Sequence, residues 1–115
     1  MSGGQAAVAT LEAENIKYAF GLIGSATMEI FDALYDSSDI NYIGVHDERT
    51  GVHMADGYAR ASGQAGLFLA GQNGPGATNL VTGLSQAMAA FSPVVSIAGA
   101  LSSTHLYRDA FQEVD

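Results

Sequence analysis

Apolar and polar residues alternate along this chain in two rhythms, and the rhythms themselves alternate. QAAVATLEAENI (residues 5–16) has a helical period that turns Val8 and Leu11 inward. KYAFGLIG (17–24) is a short apolar run ending in glycine, the mark of a buried strand. SATMEIFDALYDSS (25–38) predicts a helix capped by Ser25, with Met28, Phe31, Leu34 and Tyr35 on one apolar face. INYIGVH (40–46) predicts a second strand. ERTGVHMADGYARASG (48–63) predicts a helix closed by Gly63 as its C-cap. QAGLFLAG (64–71) is a third strand, GATNLVTGLSQAMAAF (76–91) a helix with Leu80, Leu84 and Met88 in line, and SPVVSIAGAL (92–101) a fourth strand.

Strands separated by helices with short connections predict an α/β fold, a parallel sheet flanked by helices on both faces. No repeat, linker or low-complexity tract divides the chain. The residues after the fourth strand leave the sheet with an unfinished edge, so the fold is expected to be incomplete at its C-terminal end. In open parallel sheets, ligands sit where the carboxyl ends of strands meet the following helices. Those corners are GLIGSA, VHDERTG, AGQNGPG and AGALSS.

Composition narrows the function. The chain has 115 residues, 48% of them hydrophobic, which argues for a folded domain. Twelve acidic residues against four basic ones give a net charge of -8. A nucleic-acid backbone or an anionic membrane would repel such a surface, so neither is an expected partner. There is no cysteine, which excludes disulfides, thiolate metal sites and a cysteine nucleophile. The opening MSGGQAAVAT lacks the features of a secretory signal, and the apolar run PVVSIAGAL is too short to span a bilayer. A cytoplasmic location is the expectation.

The glycine-rich corner AGQNGPGATN looks at first like a phosphate loop. Gly71 and Gly76 have Walker spacing, but Ala77 and Thr78 follow where lysine is needed. Gly71, Gly74 and Gly76 do not fit the dinucleotide fingerprint either, and they follow the third strand rather than the first. Spacing alone predicts a tight strand-to-helix turn, with Pro75 fixing its own φ. Such a turn also makes a flat wall, poor in side chains, against which a planar ring can lie.

Glu48 has two readings. By itself it is an exposed acid favoured by the helix dipole. The small apolar face below it, Val52, Ala55 and Ala59, also allows it to point into a dry crevice. A carboxylate there has a raised pKa and can share a proton with a ligand. His46, His53 and His105 lack metal spacing and read as surface or loop residues. GLSQA around Ser85 misses a nucleophile elbow, because Ala87 replaces the last glycine and Ser85 lies mid-helix. Tyr58 reads as helix packing and Arg60 as a surface cation.

Taken together, HDERTGVHMADGYARASG, AGQNGPGATNLVTGLSQAM, SPVVSIAGA and DAFQE resemble the amino-terminal pyrimidine-binding domain of thiamine-diphosphate enzymes, in the acetolactate synthase and pyruvate oxidase group. The resemblance runs over nearly all of residues 1–115. It implies a Rossmann-like three-layer sandwich binding thiamine diphosphate. FGLIGSATMEIFDAL, QNGPG and FQEVD look most like the sulfoacetaldehyde acetyltransferases, which implies an acyltransferase releasing acetyl phosphate and sulfite from sulfoacetaldehyde and phosphate. The alternatives are an acetolactate synthase-type enzyme acting on 2-oxoacids, or a non-catalytic binding module that keeps the fold. A plain nucleotide-binding domain is disfavoured by the glycine spacing.

The resemblance also assigns residues. Glu48, ten residues ahead of Tyr58, matches the glutamate that hydrogen-bonds the pyrimidine ring and activates the cofactor. The family places histidine just before it; here that position is Asp47, with His46 one step earlier. Gly74, Pro75 and Asn79 match the wall of the aminopyrimidine pocket, Gly24 and Ser25 another wall, and Gln112 the glutamine that reaches toward the reacting centre. No residue of this chain matches the G-D-G…N pattern that holds magnesium and the diphosphate. The implied partners are a diphosphate-binding domain of the same or another chain, a homo-oligomer (dimer or tetramer) and a small carbonyl substrate. The chain is then expected to be a truncated or split portion, inactive by itself.

Overall fold

The computed structural model describes residues 1–114. Its elements follow in the order α1 (Gly3–Ala13), β1 (Tyr18–Gly21), a 3-10 turn (Ser25–Thr27), α2 (Met28–Tyr35), β2 (Asn41–Gly44), α3 (Glu48–Ser62), β3 (Gly66–Leu69), α4 (Pro75–Thr78), α5 (Val81–Ala89) and β4 (Val94–Ile97). All strand pairs are parallel, in the order β2-β1-β3-β4. The sheet is flanked by helices on both faces, the α/β architecture that the alternating rhythms predict.

Strand alternation sorts the core into two halves. Ala19 of β1 and Leu67 and Leu69 of β3 point toward Val8 of α1 and Leu34 of α2. Phe20 and Phe68, the intervening residues, point the other way, into Val52 and Ala55 of α3 and Leu80. Leu67, Phe68 and Leu69 are fully buried, as expected of a central strand covered on both faces.

Local chemistry explains most element ends. Ser2 caps α1 in a reciprocal box: its hydroxyl accepts from the Gln5 amide at 3.2 Å, and Gln5 Oε1 accepts from the Ser2 amide at 2.8 Å. Asp47 caps α3 by accepting from the backbone N–H of Arg49 and Thr50. Gly63 closes that helix at φ 70°, the left-handed C-cap expected of it.

Two expectations need correction. Ser25 does not cap α2. It opens the 3-10 turn, and its hydroxyl donates instead to Gln72 Oε1, 2.7 Å away in a distant loop. With α2 starting at Met28, its inward stripe runs through Thr27, Ile30, Phe31 and Leu34, and Met28 and Tyr35 turn out to solvent. The helix expected over 76–91 is two helices, broken at Asn79 and Leu80. The inward line of α5 is Leu80, Gly83, Leu84 and Ala87, at i, i+3, i+4 and i+7, which leaves Met88 exposed.

Candidate functional site

The carboxyl ends of β1, β3 and β4 bring three loops together. Thr27 buries its hydroxyl there and donates to the carbonyls of Ala70 and Gly71, at 2.8 and 3.1 Å. Gly24 and Gly71 meet main chain to main chain, so a Cβ on Gly24 would overlap the Gly71 carbonyl. Gly99, after β4, also packs against Ala26, where an added Cβ would stand 2.5 Å from its carbonyl oxygen. Ser25 is fixed to Gln72 from the same side. Gly24 and Ser25 therefore stand against the start of the glycine loop, at Gly71 and Gln72.

Glu48 occupies the first turn of α3, where Asp47 caps the helix and the carboxylate of Glu48 suits the positive end of the dipole. Its side chain is buried, with 8% of the residue exposed. Asn79 Nδ2 donates to Oε2 at 3.0 Å. The other oxygen, Oε1, faces Gly76, where an added Cβ would stand 3.2 Å away. Gly76 thus lets the loop approach the acid, and Asn79, at the C-terminal end of α4, holds it. Asp47 is half-buried and ion-paired with the exposed Arg49 at 2.8 Å; that guanidinium, with the two capping amides, brings its carboxyl down to about 2. The acid ahead of Glu48 is therefore engaged with its own helix.

The front of the loop faces a different neighbour. Gly74 has φ 58° and ψ -110°, a conformation open to glycine, and a Cβ there would overlap the carbonyl oxygen of Gln112. Asn73, 6% exposed, donates from Nδ2 to the carbonyls of Phe111 and Gln112, both at 3.2 Å. The segment carrying Gln112 is itself drawn tight by Glu113. That carboxylate accepts from the amides of Tyr107, Arg108 and Ala110, which lower its pKa, Tyr107 foremost. A cleft of about 400 Å³ lies along this junction, lined by Asn73, Gly74, Ala77, Gly99, Leu101 and Glu113. Glu48 does not line it.

Of the residues singled out from the sequence, Glu48, Asn79 and the glycine loop form one contact group. Gly24 and Ser25 meet that loop at one end, and the main chain of Gln112 meets it at Gly74. Pro75 is exposed as the first residue of α4. Asn73, Gln72 and Thr27 are the parts that sequence reasoning missed, and Gly76, read there only as a turn residue, is the one that meets Glu48. A buried asparagine beside a glycine is the one signal available, and without its partner at 111–112 that signal has no direction. His46, His53 and His105 are all exposed, as read from spacing. Arg60 is half-exposed and paired with the buried Asp56 at 2.7 Å. Among the described residues, no cluster of three His, Asp or Glu side chains is placed to hold a metal ion. No helix among them is long and apolar enough to cross a membrane.

Comparison with known proteins gives this loop system its context. The family model described as "Thiamine pyrophosphate enzyme, N-terminal TPP binding domain" matches residues 1–115. A probable acetolactate synthase large subunit of Methanocaldococcus jannaschii is 47% identical over all 115 residues, which make up 19% of that protein. The acetolactate synthase large subunit of Haemophilus influenzae is 43% identical over the same span, 20% of its length. The isozyme 2 large subunit of Escherichia coli is 44% identical, over 21% of its length. The chain therefore spans about a fifth of these relatives. They favour the acetolactate synthase alternative over the sulfoacetaldehyde acetyltransferase reading. With its parallel sheet, its glycine loop beside a buried glutamate and this match along its whole length, the chain belongs to the family of N-terminal TPP-binding domains of thiamine pyrophosphate enzymes.

Proposed function

We propose that this chain is the pyrimidine-binding portion of a thiamine-diphosphate enzyme of the acetolactate synthase type, acting on a 2-oxoacid, with Glu48 as the group that activates the cofactor. One observation carries the reading: Glu48 is buried at the start of α3, held through Oε2 by Asn79, with Oε1 turned toward Gly76.

The residues present suit a nitrogen heterocycle. Oε1 of Glu48 makes no hydrogen bond to any described residue and is not sealed from contact, so it is available to a ring nitrogen. Gly76 brings the loop up to Oε1 without a side chain in between, so the acid's second oxygen is not blocked by the loop. The acidic composition and the missing P-loop lysine leave the diphosphate to another domain, together with its magnesium. That domain comes from the same or another chain, in a homo-oligomer, and catalysis requires it. When bound, thiamine diphosphate supplies the carbanion chemistry that breaks or forms the carbon–carbon bond.

Glu48 then has one task, to hold a proton at Oε1 and share it with the ring nitrogen. Asn79 keeps the carboxyl group in the plane and rotamer that presents Oε1. Gly24, Ser25, Gly74 and Pro75 shape the pocket wall, and Gln112 reaches toward the reacting centre. Because Asp47 is committed to Arg49 and the α3 amides, it does not compete for that proton.

Glu48→Gln in the assembled holoenzyme tests the reading. Turnover falls by roughly 10²–10⁴-fold, the usual worth of a general acid-base, while the variant keeps its fold. Unchanged turnover removes Glu48 from the mechanism. Side-by-side assays of a 2-oxoacid and of sulfoacetaldehyde with phosphate decide the substrate. Acetyl phosphate formed only from sulfoacetaldehyde overturns the acetolactate synthase assignment and leaves the role of Glu48 standing.

A further inference from the structure

We infer that Asn73 is a positioning residue: its side-chain amide fixes Gln112 in register with the glycine loop that also holds Glu48. The inference rests on the role proposed above for Gln112 and adds a device that sets where Gln112 stands.

The geometry is specific. Asn73 is one of few buried polar side chains, and both of its bonds run to successive carbonyls, those of Phe111 and Gln112. One amide group thus clamps a peptide unit nearly 40 residues away in sequence. Next to it, Gly74 presses its Cα onto the Gln112 carbonyl at a contact closed to any other residue. Gln112 itself has φ 60°, a left-handed conformation that a glutamine adopts only when its surroundings impose it. Tyr107 and Asp109 have φ 62° and 50°, so the whole segment is wound tightly, with the Glu113 carboxylate at its centre. There is no strand or helix here to set the position of Gln112. The clamp from Asn73 does so instead. The opposite end of the same loop carries Asn79, which bonds Glu48. Two asparagines six positions apart therefore tie the acid and the glutamine to one rigid glycine turn.

Three variants of the assembled holoenzyme test this. Asn73→Ala removes the donor. Asn73→Asp keeps the shape but turns a carboxylate toward two carbonyls. Asn73→Ser retains one hydroxyl donor. In the cofactor-free protein, hydrogen exchange of amides 106–114 rises roughly tenfold or more in the Ala and Asp variants and less in the Ser variant, while the β3 amides keep their protection. Turnover falls ~10–100-fold in Asn73→Ala, the scale of a small misplacement of a reacting group, with KM changing less than kcat. In a Gln112→Ala background the same Asn73→Ala change has almost no further effect on turnover, because it acts through Gln112.

Unchanged exchange at 106–114 overturns the inference. So does a loss of turnover that multiplies with that of Gln112→Ala, or loosening that spreads to β3, which marks general destabilisation. Glu48→Gln separates the two levels. If that variant is inactive while the Asn73 variants behave like wild type, the clamp fails and the proposed function survives; if it is fully active, the function fails whatever Asn73 does.

Discussion

The two faces of the sheet are built on opposite plans. Under α1 and α2 the buried core is mostly branched aliphatic, Val8, Ile16, Leu34 and Ile40 against Leu67 and Leu69, with the rings of Phe31 and Tyr42 packed at its margin. Under α3 and α5 the sheet sends up two large rings, Phe20 and Phe68, and the helices answer with small residues, Gly51, Ala55, Gly83 and Ala87. A Cβ on Gly51 would run into the Phe68 ring, and one on Gly83 would stand 2.6 Å from Val52 Cβ. Small residues let α3 press onto the sheet and α5 press onto α3. Both buried carboxylates among the described residues, Glu48 and Asp56, ride on α3. The first face supplies packing, and the second also sets how far Glu48 stands from the loop that bonds it.

Truncating the central ring has the largest expected effect. Phe68 is fully buried and fills the space above Gly51, so Phe68→Ala should cost about 3–5 kcal/mol. Leu34→Ala, on the opposite face, should cost about 2–5 kcal/mol. The contrast lies in what else changes. With each variant scaled to its folded fraction, Leu34→Ala should leave thiamine diphosphate affinity unaltered, whereas Phe68→Ala should weaken it because α3 loses its seat. Equal cofactor affinity in the two variants would erase the distinction between the faces. Denaturant titration gives the stability, and calorimetric titration of the cofactor into the assembled, cofactor-free enzyme gives the affinity.

Gly83→Ala is smaller and more pointed. The added methyl meets Val52 at the α3–α5 contact, and overpacking of this kind costs about 1–3 kcal/mol. Separation of α5 from α3 stretches the Asn79–Glu48 bond, which bridges the same two regions. The expected result is a loss of cofactor affinity, with partial recovery when Val52→Ala makes room. Unchanged cofactor affinity in Gly83→Ala would break the link between this contact and the Asn79–Glu48 bond.

These contrasts also show which features could be read in one dimension. β3 was legible because Leu67, Phe68 and Leu69 form an unbroken apolar run between turn residues. α3 was legible because its period is regular and Gly63 ends it. The start of α2 was not, since Ser25 finds its partner in Gln72, 47 residues away, and a contact at that range overrides a local cap. The break at Asn79 and Leu80 was hidden because no proline or glycine marks it; Asn79 donates to Glu48, and a second helix starts at Val81. For the site, motif resemblance singled out Glu48, Gly74, Pro75 and Asn79, while spacing alone left Glu48 open between an exposed acid and a buried one. Asn73 was invisible for the same reason as Gln72: its partners are brought to it only by the fold.

The smallest expected effect concerns the other carboxylate of α3 and depends on pH. Asp56 accepts from Arg60 Nε and Nη2 at 2.9 and 2.7 Å, and Ser92 adds to this ion pair from the loop before β4. Its pKa is lowered, by the Arg60 hydrogen bonds first and by Ser92 second, with a lesser push from the nearby charge of His53. The folded protein therefore binds this proton less readily than the unfolded chain, whose Asp titrates near ~3.9. Linkage then gives the sign: the stabilisation is complete above the unfolded value and disappears as pH falls through the lower, folded value. Arg60→Ala removes the cause. Its stability should fall below wild type at neutral pH, and the two curves should converge under acid conditions, where Asp56 is protonated in both. Asp47, also held low by Arg49, is unchanged between the two proteins, so the difference curve isolates Asp56. Denaturant midpoints measured from pH 7 down to pH 2 make the test. A gap that stays constant across that range would mean that Arg60 contributes through packing alone, and that the charge on this face of α3 matters only at Glu48.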